Sequence, residues 1–218
     1  MNKRLLDQFF KENTLESDGP TAPALAHFYL RLEGDPEASE RIRAVMDEAI
    51  LGEQPGREAT MLAERCGIEA AETCERIIRL MRRDTDPMNL HILVGKALAF
   101  KDEIVPELIR MLKTSMNDGF IETAIRILTR SEMDIAGELI ENYDDMRSPY
   151  AQSMVLVVLG YIADETCVAW LIDQHKKLKR LYPNESYCEG AYYALCEIDS
   201  RFYPAGKAPP KYSRSSSK

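Results

Sequence analysis

Apolar positions between Ser148 and Ile172 (SPYAQSMVLVVLGYIADETCVAWLI) fall into two runs separated by a polar break. Ser148 and Pro149 supply a helix start: a side chain that can accept from free amide N–H groups, then a residue with no N–H to leave unsatisfied. Met154–Ile162 is almost wholly apolar, too continuous for a surface helix with a single apolar stripe, and predicts a buried helix. Asp164-Glu165-Thr166 breaks the run, and a second helix follows through Trp170, Leu171 and Ile172. Together they predict an antiparallel helical hairpin whose core positions are Leu156, Leu159, Ile162 and Leu171.

The same pattern recurs along the chain. Asp86-Pro87, Asn117-Asp118 and Ser148-Pro149 each place a capping residue before an apolar run, and their first members are 31 residues apart both times. The second runs align as well: Val105-Pro106-Glu107-Leu108-Ile109 matches Ala136-Gly137-Glu138-Leu139-Ile140 and then Val168-Ala169-Trp170-Leu171-Ile172. A fourth unit is expected to open at Asn184–Ser186 with a Ser186-x-x-Glu189 capping box and to continue through Tyr192, Tyr193, Leu195 and Ile198. No stretch alternates like a strand between turn residues, so the expected class is all-α. One hairpin cannot bury its apolar face alone, and repetition at this period predicts an α-solenoid in which neighbours cover each other.

Residues 1–85 read as a helical region continuous with that array. Residues 2–13 form an amphipathic helix with Leu5, Leu6, Phe9 and Phe10 on one face. A loop at 14–21 and helices at 23–34, 35–50, 57–66 and 68–83 follow, punctuated by glycines and prolines. Residues 86–202 hold the repeats, and 203–218, rich in Pro, Ser and Lys, read as a disordered basic tail.

The segments ALAFKDEIVPELIRML (97–112), VLGYIADETCVAWLI (158–172) and ALCEIDS (194–200) resemble HEAT repeats, in the short HEAT-like form also found in phycobilisome lyases. The similar features are a small-Leu-Gly stretch, an acidic turn, and a Pro or small residue ahead of Leu. His91-Ile92 and Ser153-Met154 stand where that family often carries Val-Arg. The resemblance implies a superhelix of antiparallel helix hairpins whose second helices line a concave face used to bind proteins.

Equivalent positions on the second helices then gain meaning. Leu108, Leu139 and Leu171 are expected in the seam, whereas Glu107, Glu138 and Trp170 precede them and Arg110, Glu141 and Asp173 follow two places on. With Glu103, these residues define a strip of Glu103, Glu107, Glu138, Glu141 and Asp173 ending at Trp170, the only tryptophan in the chain. Such a strip suits a basic peptide or a basic patch on a protein partner, and an exposed tryptophan is a common binding anchor. Two plainer readings stand beside it: a solvated charged face, and a Trp170 packed beneath the last repeat against Tyr192 or Tyr193.

Charge excludes some classes. The chain carries −8 overall, and because its last sixteen residues bear four cations and no acid, the body stands at −12. Such a body repels phosphate backbones and anionic lipid, which disfavours nucleic acid and membrane as partners and a DNA glycosylase on a HEAT-like scaffold. A lyase of the resembling family would carry no recognisable motif here. His27, His91 and His175 have no second metal ligand within a helical turn, and no phosphate-binding glycine loop, GxSxG or HExxH occurs, so neither metal nor cofactor is expected.

Five cysteines without a CxxC read as reduced, mostly buried thiols. The N-terminus lacks the apolar core of a signal peptide and no run reaches membrane-spanning length, which points to the cytoplasm. His175-Lys176-Lys177-Leu178-Lys179-Arg180 reads as a basic run favoured by a helix C-terminus, with phosphate binding as the sharper alternative. Tyr182, Tyr187, Tyr192, Tyr193, Phe202 and Tyr203 are expected to form the outer layer of the last repeat. The expected function is a non-enzymatic scaffold that grips a protein or peptide.

Overall fold

The structure, a computed structural model, describes residues 2–13, 68, 71–83 and 87–203. The expected loop at 14–21, the helices at 23–34, 35–50 and 57–66, and the tail beyond Tyr203 lie outside the described residues. Those described are helical, with no strand among them. They form α1 (Asn2–Glu12), α2 (Cys74–Met81), α3 (Pro87–Ala99), α4 (Lys101–Leu112), α5 (Asp118–Arg130), α6 (Ala136–Asn142), α7 (Pro149–Ile162), α8 (Val168–Leu181) and α9 (Glu189–Phe202).

Local chemistry sets most of these boundaries. The Asn117 side chain accepts from Phe120 N–H at 2.9 Å to open α5, and Ser148 Oγ accepts from Ala151 N–H at 3.2 Å to open α7. α3, α5 and α7 begin at Pro87, Asp118 and Pro149, 31 residues apart each time. Asp164 accepts from Thr166 N–H at 2.8 Å, turning the chain through a short 3-10 segment, Glu165–Cys167, into α8.

Two expected elements come out differently. In place of one helix over 68–83, α2 starts only at Cys74, because the Thr73 hydroxyl accepts from Arg76 N–H at 3.3 Å and nucleates a fresh start. The last helix begins at Glu189, three residues after Ser186. Ser186 lies in the preceding turn, and Glu189 N–H, at the first position of the helix, donates to its carbonyl at 2.9 Å.

The helices pack in pairs along the chain. α3 contacts α5, α5 contacts α7 and α7 contacts α9; α4 lies against α3 and α5, and α8 against α9. Met154 to Gly160 are buried without interruption, because α7 has α5 on one side and α9 on the other. Leu156, Leu159 and Leu171 are fully buried as expected, and Ile162 is half-buried. The approach of α9 to α7 depends on small residues. A Cβ at Gly160 would lie 2.6 Å from the Ala194 Cα, and one at Gly190 would lie 2.6 Å from Ser153 Oγ. Arg201 on α9 completes the contact, donating to the Gly160 and Ala163 carbonyls at 2.7 and 3.1 Å and capping the open end of α7.

The outer layer of the last repeat is not left to its own aromatics. α1 packs against α8 and α9, so the beginning of the chain closes over its last hairpin. Phe9 meets Tyr192 with ring centroids 5.7 Å apart, and Phe10 meets it at 5.5 Å. Tyr192 and Tyr193 are buried as a result. Lys3 reaches Asp199 at 2.8 Å, and Asn2 donates to the Glu165 carbonyl at 2.9 Å. Asp199 raises the Lys3 pKa, chiefly through this hydrogen bond.

His175 also departs from expectation. It does not join the exposed cations of its run but is buried beneath α1, its ring edge-on to Phe9 at 4.9 Å.

Phe9 is 3% exposed, and truncating such a side chain costs about 3–5 kcal/mol in a core. Because α1 packs onto α8 and α9 from outside their own contact, Phe9→Ala is expected to release α1 while leaving the other helices folded. Amide hydrogen exchange over residues 2–12 should accelerate at least about tenfold, with α7 still protected. Uniform loss of protection across the chain would show that α1 is instead integral to the core.

Candidate interaction surface

The second helices keep the register expected of them. Leu108, Leu139 and Leu171 are each 0% exposed. Two residues further on, Arg110, Glu141 and Asp173 are all exposed, so α4, α6 and α8 turn equivalent faces outward. Ion pairs tie these helices together along one edge. Lys113 at the end of α4 reaches Asp145 at 3.3 Å, and Lys177 on α8 reaches Asp144 at 2.6 Å.

The six residues singled out on this face separate into two groups. Glu138, Glu141 and Asp173 are exposed and form no ion pair among the described residues. Trp170 is half-buried beside them, its ring edge-on to Tyr143 with centroids 5.1 Å apart. Tyr143, just after α6, is thus an aromatic packing partner of Trp170. Tyr143 is 1% exposed, its hydroxyl has no hydrogen-bond partner among the described residues, and burial, with Asp144 nearby, raises its pKa. An unsatisfied buried hydroxyl is costly, and here it accompanies an aromatic pair that supports the one tryptophan.

Glu103 and Glu107 belong to a different environment. They face α2 across a cleft of about 780 Å³ that also receives Arg79, Arg82, Arg83 and Arg110. Arg110 binds the Glu107 carboxylate, its Nε donating at 2.7 Å, and this bond holds Glu107 below the usual carboxylate range. Arg79 pairs with Glu75 one turn earlier on α2. Glu103 lies 3.5 Å from the Cys74 thiol, whose pKa is raised by burial first and by Glu103 second. Ile78 and Met111 supply an apolar floor. The expected acidic strip therefore runs only over α6 and α8. On α4 its carboxylates are matched by guanidinium groups.

The guanidinium groups that α2 brings to the cleft are the residues that sequence reasoning missed. The signal was present: Arg76, Arg79, Arg82 and Arg83 fall within eight residues of one another. What was not visible is that α2 ends beside α5, where the Asn117 side chain donates to the Arg82 carbonyl at 3.4 Å. That contact holds the basic end of α2 against the array.

The remaining chemistry is structural. Cys167 and Cys196 are buried, and desolvation pushes their thiols up to about 11 and about 12. Both are poor nucleophiles at neutral pH. Among the described residues no cluster of His, Cys, Asp and Glu could hold a metal ion, and no helix is long and apolar enough to cross a membrane. Comparison with protein-family models, curated proteins and solved structures finds no match.

Proposed function

We propose that this protein is a non-enzymatic interaction scaffold, a short α-solenoid of HEAT-like hairpins that binds a basic protein segment across the outward faces of α6 and α8. One observation carries the reading. The Leu108, Leu139 and Leu171 column is buried while the positions two residues on are all exposed, which supports a reading in which successive second helices present one face in register. A repeated, outward-facing register of this kind forms the extended surfaces that repeat proteins use for partners.

On that face Glu138, Glu141 and Asp173 offer carboxylates with no cation of their own, and Trp170 offers a large apolar body beside them. Carboxylates around an aromatic anchor favour a partner segment with lysine or arginine flanking an apolar residue. A body charge of −12 disfavours nucleic acid on the same surface. Among the described residues Cys74, Cys167, Cys188 and Cys196 form no disulfide, which suits a reducing compartment, and we place the scaffold in the cytoplasm.

Affinity capture from cell extract tests the surface, using wild type, Trp170→Ala and Glu138→Lys. A protein retained by wild type should lose at least about 2 kcal/mol of binding, some thirtyfold, in each variant if these residues are anchors. Identical retained proteins in all three samples would remove the α6–α8 face from consideration.

A further inference from the structure

We propose that the cleft between α2 and α4 is a binding site for a small phosphorylated molecule. It lies apart from the α6–α8 face and does not depend on the protein-binding role of that face.

Size and lining both point to a ligand. At about 780 Å³ the cleft falls within the roughly 300–1,000 Å³ usual for small-molecule sites. It gathers four guanidinium groups, on a body whose net charge is −12. Helix polarity accounts for Arg82 and Arg83 at the C-terminal end of α2, where cations are favoured. The same polarity favours Arg79 and Arg110, each in the last turn of its helix; what it does not account for is that α2 and α4 bring these basic ends to one cleft.

The pairing of these arginines selects the chemistry. Arg82 and Arg83 form no ion pair among the described residues. Among the described residues Arg79 and Arg110 pair with Glu75 and Glu107 on their own helices, through exposed i,i+4 and i,i+3 pairs. Exposed pairs of this kind are weak, so either guanidinium can turn toward a better acceptor. A phosphate offers three acceptor oxygens and close to two negative charges, enough for several guanidinium forks; a carboxylate offers two oxygens and one charge. Opposite the arginines, Glu103 is an acceptor for a hydroxyl or amino group on the ligand, and Ile78 and Met111 take its apolar body.

Cys74 gives a reporter inside the site, since its half-buried thiol lines the same cleft. The full-length protein would be alkylated with a maleimide at mildly alkaline pH, and the Cys74-containing peptide followed by mass spectrometry. Added probes are inorganic pyrophosphate, adenosine triphosphate, citrate and a polyglutamate peptide, and Cys188 on the far hairpin serves as the internal reference. Saturable slowing at Cys74 but not Cys188 is expected for the phosphates, at concentrations at least about tenfold below citrate or the peptide. Arg82→Gln/Arg83→Gln should shift that protection at least about tenfold, the effect of losing one charge-assisted hydrogen bond. Both side chains are exposed, so an unchanged melting curve is expected for the variant. Any of three results would overturn the assignment: no saturable protection by either phosphate, equal protection by citrate or the peptide, or undiminished protection in the double variant.

Discussion

Gly190→Ala is expected to destabilise the fold by about 3 kcal/mol or more, at the top of the range for overpacked cores. The added methyl would fall 2.6 Å from Ser153 Oγ and 2.7 Å from the Ser153 carbonyl carbon, well inside van der Waals contact. The hydroxyl could rotate away, but the carbonyl is part of α7 and cannot move without displacing that helix. Ser153→Ala should therefore fail to rescue the variant. In a chain of this size the loss corresponds to a drop in Tm of about 6–12 °C.

Gly95 provides the comparison. It sits mid-helix and exposed in α3, and a Cβ there meets nothing within 4 Å. Gly95→Ala is expected to stabilise by about 0.5–1 kcal/mol, through helix propensity and a less flexible unfolded chain. Urea denaturation of both variants beside wild type separates the two effects. A Gly190→Ala midpoint at or above that of wild type would mean that α7 and α9 do not cross so closely.

Acid is expected to weaken the protein through His175, beginning well above the pH at which carboxylates titrate. Burial, and secondarily Lys179 and Lys176, lower its pKa from 6.5 to about 4. Across the packing interface it faces the Phe9 ring of α1, which offers no acceptor for a proton. In the unfolded chain the imidazole takes up a proton near 6.5, whereas in the fold it stays neutral until about 4. Between those values the unfolded state binds more protons. Stability is therefore complete above about pH 6.5, declines as pH falls toward 4, and loses nothing more from this group below that. A gap of this size corresponds to about 3 kcal/mol.

His175→Leu keeps the site apolar and removes the titration. Its urea midpoint should stay flat from pH 7 to 5 while that of wild type falls. The Glu107 and Asp164 carboxylates, both held below their usual range, lose their contributions only at lower pH and equally in the two proteins. Parallel midpoints for variant and wild type across the window would assign the acid sensitivity to other groups. Because His175 is covered by α1, release of that helix is the expected first response to protonation.

Much of the architecture was legible because it is local. A Ser, Asn or Asp before an apolar run satisfies amide groups within four residues, so the starts of α5 and α7 and the Asp164 turn follow from neighbours in the chain. The buried leucine column of the second helices was equally readable, since register within a helix repeats every 3.6 residues. Where a local signal competed with another, as at Thr73, the reading of one long helix lost to the cap.

The candidate surfaces were legible only by halves. Aligning the repeats singled out Trp170 and the carboxylates of α6 and α8, but no pattern told that Trp170 rests on Tyr143. Glu103 and Glu107 looked like members of one acidic strip with Glu138 and Glu141. What sets them apart is α2, which brings arginines from nearly thirty residues earlier in the chain to stand opposite.

Helical class, most helix boundaries and the inward or outward sense of most positions are thus written in the order of residues, because the forces that set them act over one or two turns. Which apolar face covers which is not. Burial of apolar surface is non-directional, and the stripe of Leu5, Leu6, Phe9 and Phe10 would suit several grooves. Only the assembled shape selected the groove over His175 and Tyr192 for α1. In the same way, two glycines let α9 approach α7 closely enough for Arg201 to reach its carbonyls, a contact whose partners lie some forty residues apart.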